Sequence, residues 1–332
     1  MVAAPDKFRG TATATEVAAA VARAAGRAGW DCDEAPLADG GEGTLDALGG
    51  PNRSTTVTGP LGDPVTAPWR LAGGAAVIEM AQASGLEVLG GAEANDPIAA
   101  SSYGTGELIG AALDAGARRV LVGMGGSATT DGGLGALRAL YPLARVRGIE
   151  VIVACDVRTR FVDAAAHFAP QKGATPAQVE LLRRRLERLA QVYRDDYGVD
   201  VTELDGAGAA GGLAGGLAAA GGVLVEGFQL VADEVELDGR LVGADLVVTG
   251  EGFLDEASFE GKVVGGVVAL AAALGVPVLA IAGQVFDDVG QRVEAVSLAG
   301  RFGEDRAREE TLVCIEVVVA EALRAHAAGT PV

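Results

Sequence analysis

Apolar positions along the chain come in short unbroken runs, and nearly every run stops at glycine and an acid. Val2–Pro5 leads into DKFRG (6–10), Glu34–Ala38 into DGGEGT (39–44), Val120–Val122 into GMGGSATTDGG (123–133), and Leu246–Thr249 into GEGFLDE (250–256). Val278–Ile281 ends at AGQ and Val293–Leu298 at AGRFGED. Continuous runs of this kind predict parallel strands buried on both faces. Helix-like stretches separate them: Thr15 to Gly29, Lys262 to Leu274, and about Arg306 to Ala327. Ligands of open parallel sheets bind outside the carboxyl ends of the strands, so loops remote in sequence are expected to converge there.

Two regions break the pattern. Residues 53–80 read as antiparallel strands, STTVTG, PVTAPWRL and AVIEMA, reversed at GPLGDP and AGG. Residues 134–227 hold a strand (Ile149–Ala154), a charged helix (Pro176–Tyr193) and a glycine-rich segment. The expected fold is therefore α/β: a Rossmann-like parallel-sheet domain carrying an inserted second, mixed α/β domain, with the site in the cleft between them. The first domain is assigned residues 1–57, 98–130 and 228–332, and the second 58–97 and 131–227.

Composition narrows the class. Aromatics are only 4% of the chain while glycine supplies 50 residues, so the core must be aliphatic with backbones packed close. The net charge of −19 repels nucleic acid and anionic membranes. It also repels ATP and carboxylates, so an anion site needs local cations, backbone amides or a metal. Cys32, Cys155 and Cys314 form no disulfide framework or CxxC pair, and no signal core follows the N-terminus, which together predict a cytoplasmic protein. Val263 to Phe286 is long and uncharged, but its glycines and Pro277 read as helix, turn and buried strand instead of a membrane span.

Candidate chemistry sits in the loops. No GxxxxGK[ST] is present, and the GxGxxG match at Gly206, Gly208 and Gly211 follows TELD instead of an apolar strand, which favours helix packing over a dinucleotide fingerprint. In GMGGSATTDGG, backbone amides at Gly125 and Gly126, with Ser127 and Thr129, can cradle phosphate oxygens, or the loop is a tight turn with a capped helix. Asp131 there could hold a metal ion or orient a nucleophile. Asp39 and Glu42 on the DGGEGT turn suit Mg2+, which takes one or two carboxylates beside phosphates, or form a plain surface turn. Gly250, Glu251 and Gly252 repeat the theme. Lys172 in FAPQKGA is a phosphate or carboxylate hook or a solvated loop lysine, and Asp156 closing VIVACD is a candidate acid-base group or metal ligand. Glu79 interrupts an apolar run and needs a partner.

Taken together, APDKFRG (4–10), PLADGGEGTLDAL (36–48), TGPLGDPV (58–65), AVIEMAQASGL (76–86), SYGTGELI (102–109), GMGGSATTDGG (123–133), VIVACDV (151–157), FAPQKGATP (168–176), GAGAAGGL (206–213) and VVTGEGFLDEASFEGK (247–262) resemble, in order, the glycerate kinases unrelated to P-loop kinases. The resemblance implies ATP-dependent, Mg2+-assisted phosphorylation of glycerate or a similar hydroxy acid. It implies phosphate contacts from Gly125, Gly126, Ser127, Thr129, Gly250, Glu251 and Gly252, and metal contacts from Asp39 and Glu42. Lys7, Arg9, Ser84 and Lys172 would face substrate; Asp131 or Asp156 would take the hydroxyl proton, with Arg9 and Lys172 on the transferring phosphoryl. Three departures stand out. Lys7 and Arg9 replace the family's Ser and Lys, the chain is several tens of residues shorter after Leu140, and RTRFVDAAAHF replaces an asparagine-proline-leucine run. These changes leave a nucleotide- or metabolite-binding sensor as the alternative and a homodimer open; a dehydrogenase is the weaker enzyme reading.

Overall fold

The computed structural model describes residues 1–286, 289 and 292–327. Its strands are β1 (Val2–Ala3), β2 (Asp33–Glu34), β3 (Arg53–Thr58), β4 (Pro64–Ala72), β5 (Ala75–Glu79), β6 (Arg119–Gly123), β7 (Glu150–Ala154), β8 (Val223–Val225), β9 (Val247–Leu254), β10 (Val278–Val285) and β11 (Ala295–Ser297). The chain divides into two compact units, Met1–Asp39 with Asp46–Gly49 and Phe228–Val332, and Gly40–Leu45 with Gly50–Gly227.

The first unit is built on a parallel sheet of order β11-β10-β9-β1-β2. Successive strand residues go to opposite faces. Ala3, Leu246, Val248, Leu279 and Ile281 pack with the helices Ala14–Arg27 and Thr311–Ala327. Val2, Ala4 and Val247 pack with Phe228 and Val231 and with the helix Val263–Leu274. Burial on both faces is why these strands read as continuous apolar runs. The helix Ala14–Arg27 starts where Thr13 and Glu16 form a reciprocal capping box, which satisfies two of the amides a helix start leaves unpaired.

The second unit has a six-stranded sheet, β3-β4-β5-β6-β7-β8, antiparallel across β3, β4 and β5 and parallel from β5 to β8. Helices Tyr103–Asp114, Leu134–Ala139 and Leu213–Ala219 cover one face through Leu108, Ile109, Ala136, Leu213 and Leu217. The long helix Pro176–Tyr197 begins at a Thr175–Gln178 capping box and ends at Gly198 in the left-handed region, φ 71°. It buries Leu182, Leu186, Ala190 and Tyr193 against Phe161, Ala165 and Val201.

The antiparallel strands of 53–80 and the parallel sheet appear as expected, but the boundary between units differs. Residues 40–45, 50–57 and 98–130, assigned from sequence to the first domain, belong to the second. The third of the six apolar runs, β6, pairs with β5 and β7 and not with the sheet of β1. A run that is apolar throughout reports burial on both faces and carries no information about which sheet supplies its neighbours. Likewise β9 continues to Leu254, so Gly250, Glu251 and Gly252 are ladder residues opposite β10 and not a loop. No described helix is long and apolar enough to cross a membrane.

Candidate active site

In the second unit the glycine-rich loops do meet. At the carboxyl end of β6 the amide of Met124 donates to the Gly40 carbonyl at 3.0 Å. A Cβ at Gly123 would stand 2.8 Å from the Gly40 oxygen, and one at Gly125 would stand 2.8 Å from Gly41 Cα. Only hydrogen fits there, so glycine is required by contact between two backbones. Glu79, at the end of β5, holds the 40–45 loop: its Oε1 accepts from the amides of Gly43 and Leu45, each at 2.9 Å, and its Oε2 from Gln82 at 3.1 Å. The charge that interrupted an apolar run in the sequence thus finds its partners in a segment 34 residues away.

The segment after Gly125 is fixed from several directions. Ala128 donates its amide to the Ser84 carbonyl at 2.9 Å, and Leu86 donates to Gly126 at 2.9 Å. Lys172 is 2% exposed; its Nζ donates to Ser127 Oγ at 2.7 Å and to the Thr129 carbonyl at 2.6 Å. Burial pulls its pKa down to about 7, against the opposing pull of Asp131. A solvated lysine is thereby ruled out. Asn95, which sequence reasoning passed over because nothing marks it, donates from Nδ2 to the carbonyls of Ala128 and Lys172. On the other side, a Cβ at Gly211 would come within 1.9 Å of the Thr129 oxygen, and Ala210 is held at φ 52°. The Gly206–Gly211 segment is therefore a packing element under the loop. Within this frame the hydroxyls of Thr129 and Thr130 are buried with no hydrogen-bond partner, a cost that a ligand oxygen would remove.

Two sequence-predicted groups sit differently. Asp131 accepts from the amides of Ser102 (2.8 Å), Gly133 (3.0 Å) and Gly135 (3.1 Å) and from Ser102 Oγ (2.8 Å), ordering the start of two helices. Ser84 is fully buried and its Oγ takes the Thr105 hydroxyl at 2.8 Å. Neither side chain is left open to a ligand. Asp156 lies exposed one residue beyond Cys155, whose thiol burial and the Asp156 charge push up to about 12. Glu42 is exposed on the 40–45 loop.

In the first unit, chain direction reverses its march across the sheet between β1 and β9, with β2 to one side and β10 and β11 to the other. That switch point is where open parallel sheets take ligands. Asp6, Lys7 and Arg9 follow β1 there, beside Glu251 and Gly252 of β9, and a pocket of about 250 Å3 is lined by Arg9, Gly252, Gln284 and Arg308. Asp6 is 7% exposed, its carboxyl pushed up to about 7 by burial, with Asp39 and Glu251 adding and Lys7 opposing. Glu251 is raised by burial, and its Oε1 is buried without a partner. Asp6 escaped the sequence analysis, although it shares the strand-then-acid pattern of Asp39. Mutual repulsion among Asp6, Asp39 and Glu251 suits a cation carried in by phosphates. Among the described residues no three His, Cys, Asp or Glu side chains are grouped to hold a metal unaided.

Comparison with known proteins agrees with this architecture. The model of the glycerate kinase family matches residues 1–141 and 142–307, the break falling where the sequence is short. The glycerate 2-kinase of Escherichia coli K12 is 38% identical over 330 positions, spanning 87% of this chain and 86% of its own. The glycerate kinase of Haemophilus influenzae is 40% identical over 327 positions, covering 86% of each chain. A crystal structure assigned as a glycerate kinase 2 from Salmonella typhimurium LT2 superposes with a TM-score of 0.85 at 36% identity, over 99% of this chain and 98% of that one. The chain belongs to the glycerate kinase family of phosphotransferases.

Proposed function

We propose that the protein transfers the γ-phosphoryl group of ATP to a hydroxyl of glycerate, with Mg2+ accompanying the nucleotide. The observation that carries this reading is the loop from Gly125 to Thr130, clamped by a buried lysine while two of its hydroxyls stay unsatisfied. Phosphoryl transfer asks for positioning and charge stabilisation more than for covalent chemistry. A rigid loop of amides and hydroxyls meets that demand with little reorganisation.

In this scheme the amides of Gly125 and Gly126 and the hydroxyls of Ser127 and Thr129 receive phosphate oxygens. Lys172 positions Ser127 and Thr129 and adds charge from beneath. Arg9, in the switch-point pocket, takes a phosphate or the substrate carboxylate, and a guanidinium suits either through its paired donors. Asp39, with Asp6 or Glu251, would hold Mg2+, which supplies charge neutralisation on the phosphates. Asp156 accepts the proton of the attacking hydroxyl, because Asp131 already spends both oxygens on helix starts. The hydroxyl oxygen bonds to the γ-phosphorus, the bond to the β,γ-bridging oxygen breaks, and ADP leaves.

The test is ADP release measured with D-glycerate, L-glycerate and other small hydroxy acids as acceptors. Release that depends on glycerate is expected. Thermal stabilisation by ATP with no acceptor-dependent release would overturn the kinase reading in favour of a nucleotide sensor.

A further inference from the structure

A second cavity, of about 610 Å3, opens in the second unit on the helix Pro176–Tyr197. It is larger than a phosphate ion needs and is of the size that holds whole metabolites. Arg138, Arg184, Arg185 and Arg188 line it. Arg184 pairs with Glu180 at 2.9 Å. Arg185 donates to the Ile98 carbonyl and Arg188 to Gln191, and among the described residues Arg138, Arg185 and Arg188 have no carboxylate partner. In a chain of net charge −19 that grouping is against the general trend. Between the guanidiniums the wall is apolar, formed by Leu134, Leu189 and Val192.

Thr130 and Asp131 also line the cavity. The Thr130 hydroxyl is buried, 2% of the residue being exposed, and has no hydrogen-bond partner. The Asp131 carboxylate keeps its charge but has its oxygens engaged by the amides of Ser102, Gly133 and Gly135, and it is a single acid against four guanidiniums on the cavity wall. Guanidiniums bind carboxylate and phosphate through paired donors, the apolar residues call for a carbon body, and the unsatisfied Thr130 hydroxyl leaves one polar group beside the cavity still without a partner.

We infer that this cavity is an effector site for a small organic anion, a phosphorylated or polycarboxylated metabolite, acting on the loop that also carries Ser127 and Thr129. The effector role rests on the kinase reading above; the binding does not. Occupancy at Thr130 and Asp131 moves the same backbone that Lys172 holds, so binding is expected to change turnover.

Isothermal titration without ATP or glycerate tests the binding, with citrate, fructose 1,6-bisphosphate and inorganic phosphate as probes, on the wild type and on Arg138→Ala/Arg188→Ala. The expected result is a dissociation constant below about 1 mM for an organic probe, weakened by about tenfold or more in the double variant as paired donors are lost. Basal glycerate turnover should be the same in both proteins. No binding by either organic probe, equal binding to the variant, or inorganic phosphate binding as tightly as the organic probes would each overturn the site. Binding that leaves turnover unchanged would overturn its effector role. If turnover is absent altogether while binding is retained, the kinase reading fails and the site stands.

Discussion

Replacing Lys172 by methionine separates what its charge does from what its length does. The side chain is buried, with its pKa lowered to about 7 by desolvation, whereas in the unfolded chain it holds its proton to the ordinary value of 10.5. Between those two values the unfolded state binds more protons than the folded one. Wild-type stability therefore rises with pH in this window, and the cost of the buried charge is fully present below pH 7. At about 1.4 kcal/mol per pH unit, the gain from pH 7 to 9.5 is about 3 kcal/mol. The methionine variant has no group to titrate and lacks that slope. Urea unfolding followed by circular dichroism at intervals across this range, on both proteins, isolates the lysine because all other titrations cancel in the difference. Turnover of the variant should be low at every pH, since Ser127 Oγ and the Thr129 carbonyl lose their donor. A wild-type-minus-variant stability that stays flat from pH 7 to 9.5 would refute the reasoning.

The other expected outcomes concern single side chains. Asp156→Asn should lower turnover by about 100-fold or more, the usual worth of a general base, with an unchanged melting temperature because the residue is exposed; steady-state rates within a few-fold of wild type would remove it from the mechanism. Gly125→Ala places a Cβ 2.8 Å from Gly41 Cα, and backbone pressed on backbone should cost about 1–3 kcal/mol and raise KM for ATP, both measurable on one preparation. Asp131→Asn turns an acceptor into a donor facing the amide of Gly133, or those of Gly135 and Ser102. It should lose about 2–4 kcal/mol along with turnover; lost turnover at a normal melting temperature would return Asp131 to the role of proton acceptor.

Much of this architecture was legible because burial writes directly into the sequence. Strands covered on both faces must be apolar throughout, and their ends must carry the residues that glycine-rich turns require, so β1, β6, β9 and β10 stood out without any three-dimensional information. Glu79 was legible as a charge in need of a partner, since a carboxylate among β5 residues is too costly to leave unsatisfied. Its partners were not, because they are backbone amides of Gly43 and Leu45, and an amide has no sequence signature. The same limit hid the work of Asp131. An acid inside a loop of glycines reads equally as a catalytic group or as a cap, and only the positions of Ser102, Gly133 and Gly135 decide. Lys172 stays open in the sequence between an anion hook and a solvated loop lysine for a related reason. Burial of a long side chain depends on segments such as 92–95 and 206–212, which pack around its loop and which no local pattern connects to it.

The proposed function requires a chain of net charge −19 to bind two anions, and each unit offers a physical means for it. Long-range attraction is not available, and surface lysines are scarce, so stabilisation must come from short-range donors already fixed in place. The second unit supplies them as amides of a loop whose glycines admit no side chain, with one cation held beneath it out of water. Low dielectric strengthens each of these contacts, and on the proposed function phosphate oxygens would supply the partners that the buried hydroxyls of Thr129 and Thr130 lack. The first unit gathers Asp6, Asp39 and Glu251 at its switch point, where burial, with the charges of Asp39 and Glu251 adding, raises the Asp6 carboxyl to about 7; on the proposed function a divalent ion entering with its phosphates would offset that repulsion. Binding then depends on fit at a few atoms and not on the net field. Added salt, which screens long-range fields most strongly, should accordingly change ATP affinity far less than loss of the single anchor at Lys172.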